Sequence, residues 1–170
     1  MTPLGHRRLI LTRHAKSSWD NPLMEDHDRP LNARGNAAAR ELGDFLASRG
    51  LEPEEVLCST AKRTRETWDR VAAAVIETRP EVHYLDALYH ASADTMLEVL
   101  KTATQPCVMM IGHNPGIAEF AARLPSRPVF DPEFRKYPTC ATLIVDFQIE
   151  DWSQVKPGFG SMLEFFRPTR

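Results

Sequence analysis

The feature that most constrains the fold of this chain is a regular alternation of short apolar runs with longer helix-forming segments. The first run, at residues 8–13, has the β-branched character of a strand buried on both faces, and three more strand candidates follow at residues 55–58, 82–85 and 108–111. Helix-like segments accompany them, at residues 33–49, 60–77, 93–103 and 115–124. Two more strand candidates end the chain, at residues 142–147 and 162–166. This order predicts a three-layer α/β/α fold with a mainly parallel central sheet.

Length and composition predict one domain spanning residues 1–170. A chain of 170 residues with 42% hydrophobic content can bury one substantial core but is too short to divide comfortably into two. The formal net charge of −2 argues against a nucleic-acid partner and against binding to an acidic membrane surface. No apolar stretch approaches the roughly 20 residues that span a bilayer. We therefore expect a cytoplasmic protein without a membrane partner.

The three cysteines do not predict a metal site. Cys58, Cys107 and Cys140 are far apart and lack the close pairing of structural zinc ligands. Cys58 and Cys107 fall in apolar strand candidates, so we interpret them as small core residues in a reducing compartment. We expect neither a metal nor a cofactor.

Three charged clusters stand just after predicted strands. They are the pair Arg13 and His14, then Arg63 shortly after Ser59, and the tetrapeptide Gly112-His113-Asn114-Pro115. The carboxyl ends of parallel strands meet at one edge of a sheet, where open α/β folds bind their ligands. Two arginines and two histidines can therefore share one pocket. Such a pocket suits phosphate, because guanidinium groups stabilise phosphoryl oxygens and a neutral imidazole can attack phosphorus.

These clusters resemble the motifs of the histidine phosphatase superfamily. Residues 11–17 resemble its RHG signature, residues 59–67 its S-P-x-x-R-A-x-Q-T stretch, and residues 112–115 its second catalytic histidine motif. The resemblance implies a phosphoglycerate mutase-like fold and a metal-independent phosphatase that forms a phosphohistidine on His14. It also implies that three further residues hold the phosphate, namely Arg13, Arg63 and His113.

Length and a further pattern resemble the compact SixA-type members of that superfamily. The chain has no room for the lid insertion of larger members, and residues 28–35 read Asp-Arg-Pro-Leu-Asn-x-Arg-Gly as in the compact ones. SixA-type proteins remove phosphate from histidine on phosphotransfer domains, so the resemblance implies a phosphorylated protein of that kind as partner. We expect substrate contacts from Arg29 and Ser17 on the same grounds.

Several residues depart from the family pattern. Ala15 replaces the signature glycine, Thr60 the usual proline, and Glu66 the usual glutamine. Asp20 stands where mutase-like members place an asparagine that faces the phosphate, and a carboxylate there would repel the substrate. Together with the short length, this argues against mutase activity.

The residues that surround the predicted pocket are less well determined. Asp86 is the candidate general acid, which a poor leaving group would need, although a solvated loop carboxylate is the alternative interpretation. Of the histidines outside the motifs, His90 lies in the loop best placed to reach the pocket. Arg127, Arg135 and Lys136 are candidates for the rim that recognises the substrate.

Two other functions stay open from the sequence. One is hydrolysis of a small phosphorylated molecule, because compact members with the same pocket differ in what the rim recognises. The other is a non-catalytic domain that binds phosphate or a phosphoprotein. The presence of both histidines and both arginines argues against that second alternative.

Overall fold

A computed structural model describes residues 5–169 of the chain. Its strands are β1 (Arg7–Arg13), β2 (Glu55–Ser59), β3 (Glu81–Leu85), β4 (Cys107–Gly112), β5 (Thr142–Phe147) and β6 (Ser161–Phe166). Its α-helices are α1 (Ala33–Ser48), α2 (Lys62–Ala72), α3 (Ala93–Leu100) and α4 (Gly116–Arg123). Short 3-10 helices lie at Asp26–Asp28, Asp86–Leu88 and Trp152–Gln154.

The strands form one sheet in the order β3-β2-β4-β1-β5-β6. β4 pairs in parallel with both β1 and β2, and β3 pairs in parallel with β2. β5 runs antiparallel to β1, and β6 runs antiparallel to β5. The prediction of a mainly parallel sheet is confirmed. Its register pairs Arg13 of β1 with Gly112 of β4, so His14 and His113 leave the sheet side by side.

Helices cover both faces of the sheet, as the three-layer prediction requires. The side chains of Leu42 from α1 and Val71 from α2 are buried with Ile10 on one face. Met96 from α3 and Phe120 from α4 are buried on the other. Each such side chain contributes about 1.5–3 kcal/mol by leaving water. No helix within residues 5–169 is long and apolar enough to cross a membrane.

Two helices end earlier than the sequence predicts. α2 ends at Ala72 rather than near Glu77, because Glu52 Oε1 accepts the backbone N–H groups of Glu77 and Thr78 at 2.9 and 3.3 Å. Those N–H groups are therefore held by a side chain from outside the helix. α3 ends at Leu100, three residues short of the prediction, because the N–H groups of Thr102 and Ala103 bond carbonyls three residues back rather than four.

The start of α1 packs directly against the segment that follows β1. Asn32 caps the helix as an N-cap residue does, with its side-chain oxygen accepting the N–H of Gly35 at 2.8 Å. A Cβ on Gly35 would lie 2.0 Å from the carbonyl oxygen of Lys16, so a glycine is needed for this approach. The helix thereby fixes the chain just beyond His14. Of the predicted domain, residues 1–4 and 170 lie outside the described residues.

Candidate active site

His14 directly follows β1 and is held by backbone hydrogen bonds on both sides. Its N–H donates to Gly112 O at 3.1 Å, and its carbonyl accepts the N–H of Cys140 at 3.0 Å. The ring atom Nδ1 lies 2.7 Å from Ala15 O. A carbonyl can only accept, so Nδ1 carries the hydrogen and Nε2 keeps its lone pair. A nucleophilic imidazole needs this tautomer.

Burial keeps the His14 imidazole neutral. The residue is 6% exposed, and this desolvation is the main cause that lowers the pKa of His14 to about 3. The hydrogen bond to Ala15 opposes the shift, while the positive charges of Arg13, Arg63 and Arg29 add to it. At neutral pH the ring is therefore unprotonated, and Nε2 can attack an electrophile.

His113 lies beside His14, with the two ring centroids 5.3 Å apart. Its Nε2 is 2.8 Å from Ser59 Oγ, at the end of β2. Its Nδ1 is buried and has no hydrogen-bond partner within the described part of the chain. Burial, followed by the charges of His14 and Arg63, lowers the pKa of His113 to about 2. His113 therefore presents a buried nitrogen that a ligand could satisfy.

Two guanidinium groups accompany the histidines, that of Arg63 buried and that of Arg13 half-buried. Arg63, in the first turn of α2, is 2% exposed, and it donates from Nη1 to Asp26 O at 2.7 Å and from Nη2 to Asp26 Oδ2 at 3.0 Å. Arg13 donates from Nη1 to Tyr137 O at 3.2 Å. Burial, together with the charge of Arg63, lowers the pKa of Arg13. Both Nε atoms are buried and lack an acceptor among residues 5–169.

Arg29 and Ser17, which we expected to bind substrate, contact each other at the same place. Arg29 is 7% exposed, and its Nη1 donates to Ser17 Oγ at 2.7 Å. Its guanidinium carbon lies 3.6 Å from the centroid of the Trp19 ring. Stacking on an aromatic face holds a guanidinium in place without consuming its N–H donors. The structure thus brings Arg29 and Ser17 to the predicted pocket.

These side chains enclose a cavity of 260 Å³. Its lining consists of Arg13, His14, Lys16, Ser17, Trp19, Asp26, Arg29, Arg63, His90, His113, Asn114 and Thr139. Three arginines and one lysine face a single carboxylate there, so the cavity carries an excess of positive charge. Positive charge with unpaired N–H donors is the chemistry that binds a phosphate or a similar oxyanion.

Asp26 is the component of the site that sequence reasoning missed. Its carboxylate accepts from Arg63 at 3.0 Å, from Tyr89 Oη at 2.6 Å and from His90 Nε2 at 3.1 Å, and it pairs with Arg29 at 3.1 Å. Burial alone would raise the pKa of Asp26, but the hydrogen bonds from these neighbours and the charge of Arg63 lower it. The sequence offers one signal for this role. Asp26 precedes Arg29 by three residues, a spacing that allows an ion pair across a helical turn.

Asp86 lies outside this cavity. It is exposed, and its Oδ1 accepts from Thr60 Oγ1 at 2.7 Å. It lines a separate cavity of 540 Å³ that contains the further acids Asp94 and Glu98 and no cationic side chain. A phosphate has no reason to bind there, so this geometry does not support Asp86 as a general acid. His90, by contrast, does line the pocket, as its loop suggested.

The predicted rim loop borders the cavity through its backbone. Asn114 Nδ2 donates to Lys136 O at 2.9 Å, but the side chains of Arg127, Arg135 and Lys136 are not among those that line the cavity. Their role in recognition stays a prediction.

One cluster in the described part of the chain has the spacing of metal ligands, and it lies elsewhere. Glu55, Glu81 and His83 bring their ligand atoms within 4.8 Å of one another on β2 and β3. None of them lines the cationic cavity. Exposed acidic groups of this kind are common without an ion.

The chain matches known proteins over nearly its whole length. The sequence model of the histidine phosphatase superfamily, branch 1, matches residues 9–89. An uncharacterized chloroplastic protein of Arabidopsis thaliana is 33% identical over 158 residues, which cover 87% of this chain and 70% of that protein.

Solved structures agree with this match. A protein from Nakamurella multipartitia, assigned as the phosphohistidine phosphatase SixA, superposes with a TM-score of 0.80 at 27% identity and covers 99% of each chain. Its counterpart from Agrobacterium tumefaciens gives a TM-score of 0.78 at 27% identity, covering 95% of this chain and 98% of that chain. The chain belongs to the histidine phosphatase superfamily and is of the SixA type within it.

Proposed function

We propose that this protein removes phosphate from phosphohistidine on a partner protein, through a phosphoryl group carried covalently on His14. One observation carries the proposal: a neutral imidazole with an open Nε2 adjoins buried donors that lack acceptors within the described residues. Buried unsatisfied donors are costly unless a ligand accepts from them. A phosphoryl group supplies those acceptors and, in its phosphorus atom, an electrophile for Nε2.

Two displacement steps at phosphorus account for the reaction. In the first, the lone pair on His14 Nε2 attacks phosphorus, and the bond from phosphorus to the leaving nitrogen or oxygen breaks. The hydrogen bond from Nδ1 to Ala15 O persists and offsets the positive charge of the phosphorylated ring. In the second, water attacks phosphorus, Nε2 leaves with its electron pair, and inorganic phosphate departs.

Three cationic groups and His113 stabilise the charge that moves through the phosphoryl oxygens. Arg13, Arg63 and Arg29 are mostly buried around the cavity, where low dielectric strengthens each contact. One preorganised donor of this kind is worth about 10²–10³ in rate. The protein's own charges therefore supply the stabilisation, and we expect turnover in the presence of a chelator.

The dimensions of the cavity favour a protein-borne substrate. At 260 Å³ it is smaller than the roughly 300–1,000 Å³ of pockets that enclose whole small ligands. It suits a phosphoryl-imidazole head group presented by a larger molecule, as on a phosphotransfer domain. The SixA assignment of both structural relatives agrees with this substrate. We place the reaction in the cytoplasm, a location that the three free cysteines fit.

Small phosphomonoesters are the second candidate substrate. The charged floor of the cavity would accept any phosphoryl group, and the exposed Trp19 at its edge could pack on an aromatic leaving group. A purely phosphate-binding role is less well supported, because simple binding has no use for the fixed tautomer of His14.

Phosphate release in the presence of EDTA tests the proposal. The purified protein is assayed on a phosphotransfer domain that carries phosphohistidine and, separately, on para-nitrophenyl phosphate. His14→Ala is the matched variant. We expect release from both substrates, a higher kcat/KM for the protein substrate, and loss of at least about 10³-fold in the variant. A higher kcat/KM for the aryl ester would favour a small-molecule phosphatase. Release from neither would leave a phosphate-binding domain as the better account.

A further inference from the structure

His90 is a third histidine in the cavity, and the two steps above do not use it. Its side chain is 52% exposed, and its ring centroid lies 5.2 Å from that of His113. The backbone of His90 has a φ of +52°, in the left-handed region that few non-glycine residues adopt. Such strain persists only where surrounding contacts maintain it, and it is concentrated at functional sites.

The contacts of His90 fix the roles of its two ring nitrogens. Nε2 lies 3.1 Å from Asp26 Oδ2, and a carboxylate that is paired with Arg63 and Arg29 can only accept. Nε2 therefore carries a hydrogen. Nδ1 makes no hydrogen bond to any of residues 5–169, so it is the nitrogen free to exchange a proton with a bound substrate or water.

Four other titratable groups in and around the cavity are less suited to proton transfer. Asp26 is held as an anion by Arg63, and the hydroxyl of Tyr89 is already donated to it. Burial keeps His14 and His113 neutral and lowers their pKa values to about 3 and about 2.

We propose that His90 transfers the proton in both steps of the reaction, an inference that rests on the proposed function. In the first step the bond from phosphorus to the leaving atom breaks, and that atom takes the proton from Nδ1 of the His90 imidazolium. In the second step neutral Nδ1 takes a proton from the attacking water as its oxygen bonds to phosphorus. His90 is then protonated again, and the sum is hydrolysis of the substrate. Water enters from the side that the leaving group vacated, so one residue serves both steps.

Several titratable or charged groups face His90. They are Asp26, Tyr89 and His113, with Arg63 behind Asp26 and His27 behind Tyr89. Asp26 remains charged across the neutral range, so its contact with His90 is constant there.

Leaving-group dependence distinguishes a proton donor from a residue that only shapes the pocket. His90→Asn is the appropriate variant, because asparagine tolerates a positive φ better than most residues. The exposed His83→Asn on β3 is the matched control. Each protein is assayed on para-nitrophenyl phosphate, whose leaving group is good, and on phenyl phosphate, whose leaving group is poor.

We expect His90→Asn to lower kcat/KM for phenyl phosphate by about 100-fold and for para-nitrophenyl phosphate by about fivefold or less, with His83→Asn unchanged. Equal losses on the two esters, or no loss on either, in a variant that retains the wild-type melting temperature would overturn the role of His90. A wild-type protein inactive on both esters and on protein phosphohistidine would instead overturn the proposed function itself.

Discussion

Two arginines on the same strand differ in how their charges are satisfied. Arg8, near the start of β1, donates from Nε and Nη2 to the two carboxylate oxygens of Asp146, at 2.7 and 2.9 Å. Arg13, at the end of β1, donates to the carbonyl of Tyr137, and its buried Nε has no acceptor in the described chain. The hydrogen bond to Asp146 is the main cause that raises the pKa of Arg8, whereas burial and Arg63 lower that of Arg13.

The same contrast appears between buried groups at the two ends of the parallel strands, here called the amino edge, where the strands begin, and the carboxyl edge, where they end. Arg7 Nε at the amino edge is also buried without a partner in the described chain, but it does not line the cationic cavity. At the amino edge, the buried Glu55 is satisfied, since its Oε1 accepts the N–H groups of Thr104 and Gln105 at 2.8 and 3.0 Å. At the carboxyl edge, nitrogens of Arg63 and His113 remain unsatisfied beside a cavity. A buried polar group that the protein satisfies stabilises the fold, whereas one left unpaired beside a cavity indicates a ligand.

Replacing the two arginines in turn gives the largest expected difference. Arg13→Met should lower kcat/KM for phosphate release by about 10³-fold, because it removes a preorganised donor to the phosphoryl oxygens. Arg8→Met changes the same strand by the same substitution and should leave kcat/KM within about twofold, since its partner is structural. Similar losses of kcat/KM in the two variants would show that the unpaired state of Arg13 has no special importance for activity.

Acid should destabilise the carboxyl edge through its two neutral histidines. An unfolded histidine titrates near 6.5, whereas the folded pKa values are about 3 for His14 and about 2 for His113. The unfolded state therefore binds more protons below pH 6.5, and stability falls as pH drops from there toward 3.

Between pH 7 and 5 we expect a loss of about 2 kcal/mol in the free energy of unfolding for each of these histidines. Urea denaturation of wild type and of His14→Asn at the two pH values measures it, and the variant should lose about 2 kcal/mol less. Identical losses in the two proteins would mean that His14 is not buried as a neutral ring.

At the amino edge, stability rather than activity should respond to substitution. Arg8→Met should lower the free energy of unfolding by about 1.5 kcal/mol, because it leaves a half-buried Asp146 carboxylate without its bidentate partner. Arg13→Met should cost less, since it removes a buried charge that no carboxylate of the described residues offsets. Urea denaturation at neutral pH compares the two variants. A larger loss of unfolding free energy in Arg13→Met would mean that Arg13, rather than Arg8, has the stabilising role.

Inorganic phosphate should produce the smallest effect and locate the binding site. At about five times its dissociation constant, a ligand specific to the folded state adds about 1 kcal/mol to stability. We expect the melting temperature of wild type and of Arg8→Met to rise with phosphate and that of Arg13→Met to stay nearly constant. A rise of equal size in all three proteins would indicate binding away from the cavity.

The sequence predicts the parts of this site that depend on regular structure. His14, Arg63 and His113 each follow a strand. Parallel strands bring such positions to one edge of the sheet, independently of the conformation of the loops. The helix and strand order was recoverable for the same reason, because apolar periodicity is local to each element. The family resemblance then implied chemical roles for these residues, which position alone does not predict.

The parts that escaped prediction depend on contacts between distant segments. Asp26 stands among other charged residues in a polar stretch. Arg63 is 37 positions further along the sequence, and only folding brings the two side chains into contact. Asp86 and His90 lie in one loop, and nothing in their spacing tells which of them reaches the cavity. The early end of α2 likewise depends on Glu52, a residue 25 positions before the N–H group of Glu77 that it binds.

Trapping the phosphorylated enzyme tests the central claim most directly. Wild type and His14→Asn are mixed with para-nitrophenyl phosphate, quenched in alkali within the first turnovers, digested and analysed by mass spectrometry. The account predicts one phosphoryl group, stable in alkali and labile in acid, on His14 of the wild type and none in the variant. A phosphoryl group on another residue, or full turnover by His14→Asn, would contradict it.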